Sequence, residues 1–540
     1  MSTKIIFNNV YYEYYNPHHE VFKNLSFDLD TSWKTAIVGR NGYGKTTLMQ
    51  LIQGNLKPFS GTIIKPINTI YFPFIINNSE KKTIEIMKNL IAPFTEWEME
   101  MQRLLENGDE TSLLSYGELE EKYKFEGGYV IESTIEQELN LLEINQSLLQ
   151  QPFYSLSEGE KVRIQIICLL LKKNIFPLLD EPTNHLDFES REKLAKYLSF
   201  KTGFLLISHD RNFLDLCADH ILSINKADVR INNCRYSDWK KAIEEEEQFE
   251  LNKQKKLKKD IVSLKQSALE KRDWSDKKEQ TKSKNISGNE TIDKGYIGHK
   301  AAKLMKKAVI IENSINNKID EKSLLLKNKE QNYKLKMEFN DKIPNNLITL
   351  NNISVSFDKT KIINNFSLKL NKGQRIALRG GNGSGKTTLF KVIIGEIIPD
   401  EGYVSIPGFV NIQYVRQNPT WNQKICLSEY IEEQGLDLNI FRQSLAILGV
   451  KGDVYSKKYN EFSAGEKKKI ELAKSLINPI TFLLWDEPLN FLDIQSREVV
   501  ELAIIEYKPT MLFIEHDDCF VNKIATGIIA INNYSKSSTI

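Results

Sequence analysis

The chain has only five cysteines in 540 residues, Cys168, Cys217, Cys234, Cys426 and Cys519, and no two of them form a C-x-x-C pair. An odd, scattered set argues against a disulfide framework and against a cysteine-rich metal cage, and it predicts a reducing compartment. Long apolar runs are missing as well. Ile166–Leu171 is among the longest, far short of the roughly 20 residues a bilayer-crossing helix needs. Met1-Ser2-Thr3-Lys4 leads straight into an alternating strand pattern, with no signal-peptide h-region. A cytoplasmic protein without a membrane span is expected. Net charge is nearly absent too, at +2, yet residues 251–340 carry 23 Lys/Arg against 12 Asp/Glu, a local net of +11 that leaves −9 for the rest. Such asymmetry predicts a basic contact segment between two mildly acidic domains.

What is present is repetition. Gly39-Arg40-Asn41-Gly42-Tyr43-Gly44-Lys45-Thr46-Thr47 returns as Gly380-Gly381-Asn382-Gly383-Ser384-Gly385-Lys386-Thr387-Thr388. Leu156-Ser157-Glu158-Gly159-Glu160 returns as Phe462-Ser463-Ala464-Gly465-Glu466, Leu179-Asp180-Glu181-Pro182 as Trp485-Asp486-Glu487-Pro488, and Ser208-His209-Asp210 as Glu515-His516-Asp517. The order is the same in both copies, which predicts a duplicated α/β domain, 1–237 and 346–540. The spacing from Lys45 to Ser157 is 112 residues, whereas Lys386 to Ser463 is 77. The 35 extra residues fall near Thr95–Tyr129, where apolar residues at helical spacing flank a polar turn at Asn107-Gly108-Asp109. That reads as a helical hairpin inserted in copy one. Residues 238–345 read as a basic linker. Lys240–Trp274 and His299–Lys336 suit helices, and Ser275–Gly298 suits a long loop. An antiparallel helical hairpin follows, with a first arm of about 35 residues and about 50 Å. A flexible disordered linker is the alternative.

Each Gly-rich segment follows a short apolar strand and opens onto a helical pattern, the context a phosphate-binding P-loop requires. Its glycines let backbone N–H groups turn inward as an anion nest at a helix N-terminus. Lys45 and Lys386 are then placed to reach β/γ-phosphates, and Thr46 and Thr387 to ligate Mg²⁺. Asp180 and Asp486 end apolar runs, as expected of buried parallel strands beside the P-loop, and are candidate Mg²⁺-shell carboxylates. Glu181 and Glu487 are placed to orient or deprotonate an attacking water. His209 and His516 close further apolar strands and are candidates for a hydrogen bond to the γ-phosphate.

With these motifs in this order, the chain resembles the ATP-binding-cassette ATPases over nearly all of both halves. The resemblance implies two tandem P-loop NTPase domains that hydrolyse ATP with Mg²⁺, each signature segment completing the other domain's site. Site one would join Lys45, Thr46, Asp180, Glu181 and His209 to Ser463 and Gly465. Site two would join Lys386, Thr387, Asp486, Glu487 and His516 to Ser157 and Gly159. Tyr14 and Phe357 align with the family's adenine-stacking aromatic, a buried strand aromatic being the other reading. The family's glutamine, a further Mg²⁺ ligand, is present as Gln417, but Phe74 stands at that place in copy one. Leu489 and Phe491 depart from the run that Thr183 and His185 keep in copy one. The two sites are therefore expected to work at unequal rates.

Two cassettes, an insertion in the first and a charged linker resemble the ABC-F family, which acts on ribosomes. Lys294–Lys306 resembles the linker of its Vga/Lsa-type antibiotic-resistance branch. This implies a monomer with intramolecular cassette pairing that binds the bacterial ribosome at the E site. It would contact rRNA and P-site tRNA through the basic linker, and relieve lincosamides, pleuromutilins and streptogramin A at the peptidyl-transferase centre. A positive hairpin supplies phosphate contacts. Lys271, Arg272 and Trp274, with Tyr296 near His299 and Lys300, add planar groups for base stacking. A housekeeping ABC-F translation factor and the ATPase subunit of a membrane exporter remain open.

Overall fold

The computed structural model describes residues 3–249, 335–337 and 344–531 together with 252, 256 and 259, apart from 16–17, 40–41, 185, 226–228, 247, 358–359, 382, 419–420, 422, 451–453 and 478–479. Met1–Ser237 with Lys334–Ile540 form one compact unit, and Asp238–Tyr333 a second. Beyond the start of the first arm, residues 260–334 of the linker lie outside the described residues, among them the loop 276–293, the Lys294–Lys306 segment, Lys271, Arg272, Trp274, Tyr296, His299 and Lys300. Residues 236–246 are helical, whereas 335–337, whose first two residues the sequence pattern places in the second helix, carry no helix.

In chain order the first cassette consists of β1 (Lys4–Tyr15), β2 (His18–Asp30), β3 (Lys34–Val38), α1 (Lys45–Gln53), β4 (Ser60–Ile64), β5 (Asn68–Phe72), α2 (Thr83–Ile91), α3 (Phe94–Asn107), α4 (Glu110–Glu126), α5 (Ile131–Leu141), α6 (Glu158–Leu171), β6 (Ile175–Asp180), α7 (Phe188–Ser199), β7 (Phe204–Ile207), α8 (Arg211–Cys217), β8 (His220–Ile224) and β9 (Val229–Asn232). The second consists of β10 (Asn346–Phe357), β11 (Thr360–Asn371), β12 (Arg375–Arg379), α9 (Lys386–Ile393), β13 (Glu401–Ser405), β14 (Ile412–Val415), α10 (Leu427–Glu433), α11 (Leu438–Ile447), α12 (Ala464–Ile477), β15 (Phe482–Asp486), α13 (Ile494–Tyr507), β16 (Met511–Ile514), α14 (Asp518–Ile524) and β17 (Gly527–Ala530).

Two sheets layer in each copy. A three-stranded antiparallel sheet, ordered β2-β1-β4 or β11-β10-β13, covers a mainly parallel one, ordered β5-β6-β7-β3-β8-β9 or β14-β15-β16-β12-β17. The inner strands are short and apolar on both faces, as parallel strands covered on both sides must be. Every residue of β7, β8, β15 and β16 is buried. Between the layers Phe7, Leu48 and Leu205 pack in the first copy, and Leu350, Leu389 and Leu512 in the second. Leu335 and Met337, ahead of β10, are buried in the helical core of the second cassette with Phe441 and Leu472.

The insertion Thr95–Tyr129 is built by α3 and α4. Gly108, at φ 66°, ends α3 with its N–H on Leu104, and Asp109 caps α4 by accepting from Ser112 N. A left-handed glycine followed by an aspartate cap reverses the chain in two residues. Phe94 and Tyr123 pack edge to face at the base of this hairpin.

Candidate functional site

Strand register sets the geometry. Asp180 and Ile37 both pair with Ile207, so the carboxylate ends level with the strand that feeds the first Gly-rich loop. Asp486 and Leu378 pair with Ile514 in the same manner. Thr46 Oγ1 donates to Asp180 Oδ2 at 3.2 Å, and Thr387 Oγ1 to Asp486 Oδ2 at 2.9 Å. Each hydroxyl therefore meets its carboxylate across 134 and 99 residues of sequence.

Gly44 and Gly385, both at φ 90°, precede α1 and α9. A Cβ at Gly44 would lie 2.5 Å from Val21 Cγ1, so the loop needs glycine for conformation and for space. Lys45 Nζ donates to Gly39 O at 2.7 Å; Lys386 Nζ donates to Gly380 O at 2.7 Å and Gly381 O at 2.9 Å. Burial lowers the pKa of both ammonium groups, against the pull of neighbouring carboxylates. Gly42 and Gly383 are also left-handed, at φ 82° and 79°, while Arg40, Asn41 and Asn382 lie outside the described residues. Tyr43, Thr47, Ser384 and Thr388 complete the loops. Tyr14 OH lies 3.1 Å from Thr47 Oγ1. Tyr14 and Phe357 are 40% and 48% exposed, which sets aside the buried-aromatic reading.

Glu181 and Glu487 take positive φ, 51° and 47°, a strained conformation for a glutamate that the surrounding fold must enforce. Their N–H groups donate to Ile207 O at 2.9 Å and Ile514 O at 3.0 Å. The side chains then differ. Glu487 Oε2 accepts from Gln417 Nε2 at 3.0 Å and Asn490 Nδ2 at 2.5 Å, with His516 Nε2 3.6 Å from Oε1. Burial pushes this carboxyl up, but the neighbouring His516 imidazole and the Gln417 amide bring it down to about 2. Glu181 Oε1 lies 3.4 Å from His209 Nε2 without an aligned donor. Burial, with Asp180 beside it, pushes Glu181 up to about 8. His209 goes well below its ordinary value through burial and the Lys45 charge. In site one Tyr71, the counterpart of Tyr414, donates its OH to Asp180 Oδ2 at 2.6 Å.

Site two is assembled across the two cassettes. A cleft of about 580 Å³ is lined by Gly383, Ser384, Gly385, Lys386, Thr387, Thr388, Phe357, Gln417, Glu487 and His516 from the second cassette, and by Ser157, Glu158 and Gly159 from the first. Ser157 caps α6 in a reciprocal capping box with Glu160, and Ser463 and Glu466 repeat it at 2.9 Å and 3.2 Å. Each signature is thus a helix N-terminus presenting N–H groups and a hydroxyl. At site one, Asp493 and Lys469 of the second cassette act electrostatically on Lys45; Lys469 lies on α12, the helix that Ser463 and Gly465 begin.

Several neighbours were not singled out from the sequence. Lys468, only 1% exposed, donates to the carbonyls of Arg416 (2.8 Å), Gln417 (3.1 Å) and Asp486 (3.1 Å), and burial brings it down to about 8. Glu515 accepts from Leu489 N at 2.8 Å, where the first cassette has Thr183 Oγ1 3.0 Å from Ser208 Oγ. The departure at Leu489 is therefore half of a paired exchange, in which a carboxylate reaching the backbone replaces a hydroxyl pair. Asp493 and Asp187 cap the helices after these runs and accept from Ser496 and Ser190.

Mg²⁺ takes oxygen donors in octahedral array. Asp486 Oδ1 is buried without a hydrogen-bond partner beside the Thr387 hydroxyl, and burial pushes its carboxyl up to about 6. A buried carboxylate oxygen left open next to a hydroxyl fits that ion. No helix among the described residues is long and apolar enough to cross a membrane.

The model of the ABC transporter family matches residues 22–184 and 363–490, more than half of the chain. ABC transporter F family member 2 of Arabidopsis thaliana is 28% identical, over 95% of this chain and 74% of that protein. Energy-dependent translational throttle protein EttA of Haemophilus influenzae is 27% identical, over 96% of this chain and 90% of its own. The fold is that of aABCE1, the archaeal ribosome recycling factor crystallised with stalk protein aP1, with a TM-score of 0.59 at 18% identity over 97% of this chain and 87% of that one. With both cassettes matched, the chain belongs to the ABC transporter family, as a two-cassette ATPase of the ABC-F group.

Proposed function

We propose that this ATPase is a ribosome factor whose cassettes close on ATP within one chain, and that it relieves drugs bound at the peptidyl-transferase centre. The observation that carries the motor part is the shared cleft, in which Ser157 and Gly159 face Lys386, Thr387, Glu487 and His516. The P-loop N–H groups and Lys386 would hold the phosphates, and the α6 N-terminus with Ser157 would meet them from the opposite side. Phe357 would stack on the base. Glu487 would accept the proton of the attacking water, with Gln417, Asn490 and His516 orienting its carboxylate. Thr387 and Asp486, joined by Gln417, would hold Mg²⁺, which when bound neutralises charge developing on the phosphate oxygens. In site one Lys45, Thr46, Asp180, Glu181 and His209 would do the same work, completed by Ser463 and Gly465.

The ribosome as partner is supported by likeness to a protein named a translational throttle, and by the +11 charge of residues 251–340. Drug protection at the E site, through the linker 238–345 and the P-site tRNA, rests on the Lys294–Lys306 resemblance. A housekeeping translation factor is the second reading, favoured by the EttA likeness over 96% of the chain. Susceptibility of a sensitive bacterium to a lincosamide, a pleuromutilin and a streptogramin A, with and without this gene, separates them. Unchanged inhibitory concentrations leave the housekeeping reading. Co-sedimentation with membranes rather than ribosomes would overturn both.

A further inference from the structure

Lys468 stands five residues beyond Ser463 on α12, and its side chain is almost wholly enclosed. Burying an ammonium is costly unless its donors are satisfied. Here three carbonyl oxygens, those of Arg416, Gln417 and Asp486, take its three protons. Two of these carbonyls flank the peptide that carries Gln417, whose amide donates to Glu487. The third belongs to Asp486, immediately before Glu487. One cation therefore fastens both peptides on which the Gln417–Glu487 hydrogen bond depends.

The first cassette lacks both parts. Val162 occupies the place of Lys468, at the same spacing from its signature serine, and Phe74 the place of Gln417. Glu181, in that cassette, has an oxygen with no hydrogen-bond partner. Clamp and amide are present together in one site and absent together from the other, as expected if one serves the other.

We propose that Lys468 is a positioning residue of the second ATP site, locking the Gln417 segment onto the end of β15 so that Glu487 is oriented for hydrolysis. The proposal rests on Glu487 being the base of that site. Its test uses the full chain in a Glu181→Gln background, so that turnover reports site two. Lys468→Met should lower kcat about ten- to a hundredfold, the scale of a misplaced reacting group, and leave KM for ATP within about twofold. Lys468→Gln, which keeps a neutral donor, should recover part of the loss. Combined with Gln417→Ala, Lys468→Met should add nothing further, because both act through one contact. An unchanged kcat for a folded Lys468→Met overturns the proposal, as does a loss that multiplies with that of Gln417→Ala or a matching rise in KM. If Lys468→Met does not fold, the same comparisons on Lys468→Gln decide. A Glu181→Gln background without any hydrolysis overturns the reading of Glu487, and this proposal with it; normal background turnover with an indifferent Lys468 overturns the proposal alone.

Discussion

Arg211 of the first cassette and Glu501 of the second form an ion pair across the cassette boundary, Nη2 to Oε1 at 2.9 Å, with side-chain exposures of only 8% and 4%. Lys523 adds a second cation to Glu501 at 3.1 Å. The pseudo-symmetric position is built differently, with Ala195 in place of Glu501 and Asp518 in place of Arg211. Asp518 pairs instead with Arg379 of its own cassette. The Arg211–Glu501 tie is thus not repeated at the pseudo-symmetric position among the described residues. Glu501→Ala should cost about 3–5 kcal/mol, because it leaves a buried guanidinium uncompensated. Replacing both residues, as Arg211→Met with Glu501→Leu, should recover most of that stability. Chemical denaturation of the two variants checks the difference.

The unequal surroundings of the two glutamates predict unequal mutants. Glu487→Gln removes a carboxylate oriented by Gln417 and Asn490, whereas Glu181→Gln alters one whose Oε1 has no hydrogen-bond partner among the described residues. Steady-state ATPase should fall further in the Glu487→Gln protein. The double mutant should lose about 10²–10⁴-fold, the usual worth of a positioned base. Equal losses in the single mutants would count against the asymmetry.

A pH effect on stability follows from Glu181. Its pKa in the folded chain, about 8, stands above the ordinary 4.5, so between those values the native state binds the extra proton. The resulting stabilisation is complete at and below about pH 4.5 and is lost as pH rises through 8. Nucleotide-free protein should therefore melt at a lower temperature at pH 8 than at pH 6, and Glu181→Gln should reduce that difference. An undiminished difference in the mutant would assign it to other groups.

Deleting 276–293 and joining the ends with a short Gly-Ser turn should spare basal ATPase, since every residue of the two candidate sites lies in the cassettes. Ribosome binding should weaken only in part, because Lys253–Lys259 and Lys303–Lys307 remain. Inhibitory concentrations of a lincosamide and a pleuromutilin should fall to those of cells without the gene. A loop-deleted protein that protects fully would move the effect to the cassettes or to the α3–α4 hairpin.

The phosphate-binding parts were legible because each is short, contiguous and preceded by a strand. Backbone rules place Gly44 and Lys45 with little help from the rest of the fold. The pairing of Ser157 with the second Gly-rich loop came from family resemblance, since no local pattern links residues more than 200 positions apart. Lys468 was illegible for a different reason. Lys467-Lys468-Lys469 reads as a solvated charge run, and only the packing of α12 turns its last two members inward, Lys468 onto the Gln417 segment and Lys469 onto Asp493. The same holds for Arg211 and Glu501, 290 residues apart, whose meeting depends on how two cassettes dock. The exchange of Thr183 and Ser208 for Leu489 and Glu515 appeared in sequence as a departure from pattern and acquired a reason only from the Leu489 N–H to Glu515 bond.

Trp421 lies four residues beyond Gln417, stacked on Tyr430 at 4.4 Å and 6° with its indole N–H on Glu471 at 2.9 Å. Glu471 is the residue three after Lys468 on α12. A ring stacked on a phenol with its N–H held by a carboxylate changes its surroundings when either neighbour moves. The chain therefore carries a native fluorophore four residues from the amide of Gln417 in its second candidate site. With five other tryptophans in the sequence, the difference between wild-type and Trp421→Phe emission isolates its signal. That difference would time the arrival of nucleotide in milliseconds without any label being attached.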